Sequence, residues 1–179
     1  MKRLCLLRHA KSDWSDPSSD DFNRPLNARG TRAANFMAQY IAKSPYRPDT
    51  VLCSTAARAT ATCAPLREAL GRRVPIIYRD ELYHAMPDKM LEEVHGAPPE
   101  AETLLVVAHN PGLVLLAMAL ADDPDEETAL RIAHGVPTGG FIVFEFDVDD
   151  WTKIKEGAGR TVFFVRPRDL MTEGAEEKN

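Results

Sequence analysis

Apolar residues in this chain gather into short unalternating runs, each broken abruptly, with stretches of helical spacing between them. Residues 2–7 (KRLCLL) open the pattern. A run this short could not stand alone as a helix, so it predicts a buried strand. Residues 50–53 (TVLC), 74–78 (VPIIY) and 103–108 (TLLVVA) repeat it, the last being the clearest strand of the kind buried on both faces. Between them, residues 28–43 set Ala33, Ala34, Met37 and Ile41 at helical spacing, and Pro45 and Pro48 end the pattern. Residues 56–70 predict a second helix, with Ser54 and Thr55 as N-cap residues, Gly71 closing it, and Pro65 kinking or splitting it.

Further on, residues 87–95 predict a short helix and residues 113–121 a very apolar one. The acidic stretch 122–127 is expected to cap another helix reaching Ala133. Residues 140–147 (GFIVFEFD) alternate cleanly, and 161–165 (TVFFV) form the last strand. These two are joined by a short turn-like stretch around Trp151, and they are expected to pair antiparallel at an edge. Strands alternating with helices predict an α/β fold, doubly wound in three layers, with a mostly parallel sheet and helices on both faces. Residues 1–170 are expected to form one domain, and the charged segment 171–179 a frayed tail.

Composition narrows the function. A net charge of −5 over 179 residues argues against a general nucleic-acid surface, so any anion site must be local. No apolar stretch reaches membrane-spanning length and no signal-peptide pattern opens the chain, which predicts a cytoplasmic protein without a membrane partner. Cys5, Cys53 and Cys63 fit no metal-ligand spacing and are expected to be reduced core thiols.

Candidate chemistry lies where the strands stop. One strand runs into Arg8-His9, another into His109, and a third leads through Ser54-Thr55-Ala56-Ala57 to Arg58, one turn into a helix. In an open α/β sheet the carboxyl ends of parallel strands share one edge, where ligands bind. His9, His109, Arg8 and Arg58 are therefore expected to converge, joined by the positive end of the helix that begins near Ala56. Two guanidinium forks and two imidazoles suit a tetrahedral dianion. The polar segment 12–27 reads as a loop of functional length rather than a linker. Its Arg24, like Lys11 before it, is expected to be a solvated loop charge. Thr138 and Gly139-Gly140 are expected to form a plain tight turn.

Three ordered motifs carry a family resemblance. Leu7-Arg8-His9-Ala10-Lys11-Ser12, the segment from Ser54 to Thr62 (STAARATAT) and Val107-Ala108-His109-Asn110-Pro111-Gly112 resemble the histidine phosphatase (phosphoglycerate mutase-like) superfamily. Within it they resemble the short phosphohistidine phosphatases of the SixA type. Residues 24–30 (RPLNARG) are similar to the family segment that opens the first helix. The resemblance implies a phosphatase working through a covalent phosphohistidine, with His9 as nucleophile. Arg8, Arg58 and His109 would hold the phosphoryl oxygens, with no metal and no cofactor. It implies a phosphohistidine-bearing protein, or else a small phosphorylated molecule, as the substrate partner, and inorganic phosphate as product.

Departures from the family pattern bear on the substrate. Ala10 stands where Gly often follows the nucleophile, and Asn110 stands at one position where a carboxylate acid is usual. In the other acid region stand Asp80, Glu81 and His84, of which His84 falls nearest the acid position, with Glu81 as the other possible proton donor. An alkoxide leaving group needs an acid, whereas an imidazole, with a pKa of about 6.5, hardly does. Nothing between Arg58 and His109 is long enough to roof the pocket, which predicts an open site. A broad small-molecule phosphomonoesterase of the same superfamily, and a non-catalytic phosphate- or phosphoprotein-binding module, stand as alternatives. A Cys-based phosphatase is set aside, because only four residues separate Cys53 from Arg58 where five are required.

Overall fold

The computed structural model describes residues 1–122 and 126–176. Its first strand, β1 (Lys2–Arg8), has both faces covered, and Leu4, Cys5, Leu6 and Leu7 are buried. Around it come β2 (Thr50–Ser54), β3 (Ile76–Arg79), β4 (Thr103–Ala108), β5 (Phe141–Phe146) and β6 (Arg160–Val165), in the spatial order β3-β2-β4-β1-β5-β6. The four strands from β3 to β1 run parallel, whereas β5 pairs antiparallel with β1 and with β6. The sheet is thus mixed but mostly parallel, with β6 at the edge where the sequence expects the antiparallel pair.

Period-two alternation along the strands divides the core into two layers. Leu4, Leu6, Leu52, Val106 and Phe144 face one side, packing with residues of α3 (Pro87–His95), α4 (Gly112–Leu120) and α5 (Glu126–Ala133). Cys5, Leu7, Val51, Cys53 and Val107 face the other, against α1 (Ala28–Lys43) and α2 (Ala57–Leu70). Helices therefore lie on both faces, the doubly wound architecture that the pattern predicts. The three cysteines are free and buried.

Several local expectations change. Asn27 caps α1, its side chain accepting from the Gly30 N–H at 2.8 Å. The N-cap of α2 is Ala56, with no side-chain cap, because the Ser54 and Thr55 hydroxyls are engaged elsewhere. Pro65 does not split α2, which stays one element across it. The segment expected to fray instead enters a helix, α6 (Pro167–Glu176), whose charged, Gly-containing sequence hides its period. The acidic cap expected before α5 falls partly on residues 123–125, and the end of the tail on 177–179, both outside the described residues. Among the described residues, no helix is long and apolar enough to cross a membrane.

Two glycines allow backbones to meet beside the sheet's carboxyl edge. A Cβ on Gly30 would lie 2.0 Å from the Lys11 carbonyl oxygen, and one on Gly112 would lie 1.9 Å from that of Ala85. Any side chain at either position would push α1 or α4 off the segments that follow β1 and β3.

Candidate active site

Strand register assembles the site. Because β1 and β4 pair in parallel with Arg8 opposite Ala108, the residues that follow, His9 and His109, emerge side by side. The His9 N–H donates to the Ala108 carbonyl at 3.1 Å, and the ring centroids are 5.0 Å apart. On the other flank of β4, β2 ends at Ser54, whose hydroxyl lies 2.7 Å from His109 Nε2. Three residues further α2 begins, and Arg58 in its first turn reaches back so that its Nε–H meets His9 Nε2 at 3.3 Å. The four residues singled out from the sequence are brought together, and His9, Arg58 and His109 are all buried.

Hydrogen bonding fixes the tautomer of His9. Its Nδ1 lies 2.7 Å from the Ala10 carbonyl oxygen, which can only accept, so Nδ1 carries the proton. Nε2 then carries the lone pair, which accepts the Arg58 Nε–H. The backbone holding this geometry is itself tied down, since the Ala10 N–H donates to Thr62 Oγ1, which donates to the Arg58 carbonyl. Burial, together with the Arg58 and Arg8 charges, lowers the His9 pKa to about 4. Burial, with the positive potential of His9 and Arg58, lowers that of His109 to about 3. Both rings are neutral at pH 7.

Burying two neutral imidazoles has a consequence for stability. In the unfolded chain both would titrate near 6.5. Between about pH 6.5 and 4 the unfolded chain binds protons that the folded one refuses, so stability falls as the pH falls through that window. Going from pH 7 to 4.5 is expected to remove on the order of 5 kcal/mol, about half from each ring, read as a lower midpoint of denaturant unfolding. An unchanged midpoint would contradict the burial of these rings.

Arg8 directs one terminal nitrogen to the Val136 carbonyl at 3.0 Å, and Asn110 Nδ2 donates to the same oxygen. Arg8 Nε and His109 Nδ1 are buried and have no hydrogen-bond partner among the described residues. Each such group carries an uncompensated desolvation cost unless a ligand supplies the missing partner. The turn at 138–140 does more than reverse the chain. Gly139, with φ of +75°, donates its N–H to the Arg8 and His9 carbonyls, fastening the end of β1.

Sequence reasoning missed Asp21 and Tyr83. Asp21 sits in the 12–27 loop and ion-pairs with Arg58 at 3.0 Å, while its Oδ2 also accepts from the Tyr83 hydroxyl at 2.7 Å. Desolvation pushes the Asp21 carboxyl up, but the hydrogen bonds from Tyr83 and Arg58 outweigh it and hold the pKa down at about 2. Burial and the same bond raise the Tyr83 pKa. Nothing periodic marks Asp21; the nearest signal is its neighbour Phe22, an aromatic in a polar loop, whose ring packs edge-on against Tyr83. The roof over Arg58 comes from this loop, so the site is more covered than the short 58–109 interval suggests.

The helix dipole of α2 points at the site, but its first amide is taken: the Ala57 N–H donates to the Phe22 carbonyl. Arg24 is not a solvated charge. It is buried, donates to the Asp13 and Ser19 carbonyls and stacks over Trp14 at 3.9 Å, which shapes the loop that delivers Asp21. Lys11 is exposed, as expected. Of the two candidate proton donors, His84 lies 3.2 Å from Asp21 Oδ2 and stacks on Tyr83. Its backbone is left-handed, at φ +53°, a conformation costing roughly 1 kcal/mol that these contacts hold in place. Glu81 is exposed in a 3₁₀ turn (Asp80–Leu82), with Lys89 as its electrostatic neighbour rather than the site.

Comparison with known proteins agrees with this geometry. A family model described as the histidine phosphatase superfamily (branch 1) matches residues 4–85. An uncharacterized protein of Mycobacterium tuberculosis is 36% identical over 164 residues, covering 90% of this chain and all of the relative. Among solved structures, a protein of Agrobacterium tumefaciens proposed to be the phosphohistidine phosphatase SixA superposes with a TM-score of 0.76 at 31% identity, covering 93% of this chain and 99% of its own. A second such protein, from Nakamurella multipartitia, gives 0.79 at 31% identity over 93% and 96% of the two chains.

Proposed function

The chain belongs to the histidine phosphatase superfamily, and from that premise we propose that it removes the phosphoryl group from phosphohistidine on a protein, through a covalent intermediate at His9. The observation that carries this reading is a His9 Nε2 lone pair that accepts only from Arg58, set beside the buried and unpartnered Arg8 Nε–H. With the substrate ring already protonated on its other nitrogen, Nε2 attacks phosphorus in line, the substrate P–N bond breaks, and its electron pair stays on the departing imidazole, which keeps that proton and leaves neutral. Arg8, Arg58 and His109 hold the oxygens onto which charge spreads in the transition state. Water then attacks phosphorus, His9 leaves, and inorganic phosphate is released. The two guanidinium groups supply the positive charge that a metal ion would otherwise bring, so the proposal includes no metal.

The charge state of the site supports a nitrogen leaving group. Asp21, with a pKa of about 2, is ionised at neutral pH and cannot act as general acid. Glu81 is exposed and makes no hydrogen bond to the site residues among the described residues, and Asn110 carries no transferable proton. General acid catalysis typically contributes 10²–10⁴ in rate, and with the carboxyl groups excluded an alkyl phosphate has only the exposed His84, held by Asp21, to draw on. Phosphoramidate or phosphohistidine is therefore expected to exceed an alkyl phosphate in kcat/KM by about that factor. Comparable rates for both would contradict the reading and favour a broad small-molecule phosphomonoesterase.

A further inference from the structure

A cleft of about 1060 Å³ opens beside the candidate active site, walled by the start of α1, the end of α5, residues 135–138 and the start of α6. It shares a wall with the site: Val136 holds Arg8 and Asn110 by its carbonyl, and Gly139 fastens Arg8 and His9, while Pro137 and Thr138 between them line the cleft. In a chain of net charge −5, six cations line it (Lys11, Arg29, Arg32, Arg131, Arg166 and Arg168) against one carboxylate, Glu127.

The two sides differ in how their charges are held. Arg131 donates to the Phe164 carbonyl, and Arg166 forms a two-pronged pair with Asp169. Lys11, Arg29 and Arg32 are exposed, and no ion-pair partner faces them among the described residues. Arg29 lies in the first turn of α1, which has no acidic residue, where the helix dipole disfavours a cation. Arg32, three residues on, adds like-charge repulsion on the same face. Placement that opposes helix stability in this way is explained by an anionic ligand. Between the charges lie Leu130 and Met171, 50% and 44% exposed, so the complement is both acidic and apolar. The volume stands at the upper end of small-ligand sites, which run about 300–1,000 Å³, and suits a chain segment better than a compact metabolite.

We propose that this cleft docks an acidic amphipathic segment of the phosphoprotein substrate, placing its phosphoryl group one loop away, over His9. The identity of that partner rests on the phosphohistidine phosphatase reading above. A synthetic peptide built of repeating Glu-Glu-Leu-Leu blocks serves as the probe, titrated against the full chain by fluorescence anisotropy. Binding is expected to weaken at least about tenfold in the R29E/R32E double variant and to weaken with added salt. Phosphoramidate turnover by the same variant should match that of the unaltered chain, because neither arginine touches the site. Absence of peptide binding, or binding indifferent to R29E/R32E, would overturn the proposal. So would inorganic triphosphate binding in the cleft more tightly than the peptide, which would make it a small-polyanion site. Failure of the unaltered chain to turn over phosphoramidate would remove the phosphatase reading instead, and the peptide titration would still decide the cleft.

Discussion

Replacing His9 by alanine is expected to lower turnover of a phosphohistidine substrate by about 10⁴-fold or more, as removal of a covalent nucleophile does elsewhere. The effect should fall on kcat, with phosphate still binding to Arg8, Arg58 and His109. His9 is buried, and its Nδ1 is bonded to the Ala10 carbonyl, so the variant also leaves a small void and an unpartnered Arg58 Nε. A folded control is therefore part of the measurement: circular dichroism and a cooperative thermal transition should persist. A folded H9A protein that retains its rate would place the nucleophile elsewhere.

Arg58→Ala is expected to cost about 10²–10³ in kcat/KM, the loss typical for removing one pre-organised donor to a developing oxyanion. The inhibition constant for inorganic phosphate should rise in parallel, since the same fork serves ground and transition states. Removing Arg58 also removes the cation that Asp21 faces, leaving a carboxylate beside the phosphoryl site. Lysine at this position should rescue poorly, because a point charge reproduces neither the bond to His9 nor the fork onto Asp21. An unchanged phosphate inhibition constant in R58A would contradict the assignment.

How much of this was legible in the sequence follows from the range of the forces involved. The helices Ala28–Lys43 and Pro87–His95 and the strand Thr103–Ala108 are placed by the sequence pattern at the bounds the structure shows, because each hides a long apolar face or run from water. His9, His109 and the two arginines are legible because each follows such a run, and parallel register does the rest. Asp21, Tyr83 and the burial of Arg24 were not legible. Asp21 meets Arg58 and Tyr83 far along the chain, and the loop carrying Asp21 and Arg24 is positioned by Arg24 over Trp14 and by the Phe22 carbonyl on Ala57, contacts without a local period. The helix α6 was hidden for a related reason, since its charges mask a short apolar stripe that ends at Leu170 and Met171. The cap of α2 shows tertiary contacts overriding propensity: Ser54, a good capping residue, lies before the cap position, where its hydroxyl meets His109 and the Ala56 N–H.

The covalent intermediate at His9 can be trapped directly. A phosphohistidine-bearing protein is mixed with the chain, quenched rapidly in alkali, and the peptide holding His9 is weighed by mass spectrometry. A phosphoryl adduct on His9 that forms and decays within turnover is expected. Substrate consumed with no adduct on that peptide at any time would contradict it, and would give the attacking role to water or to another side chain.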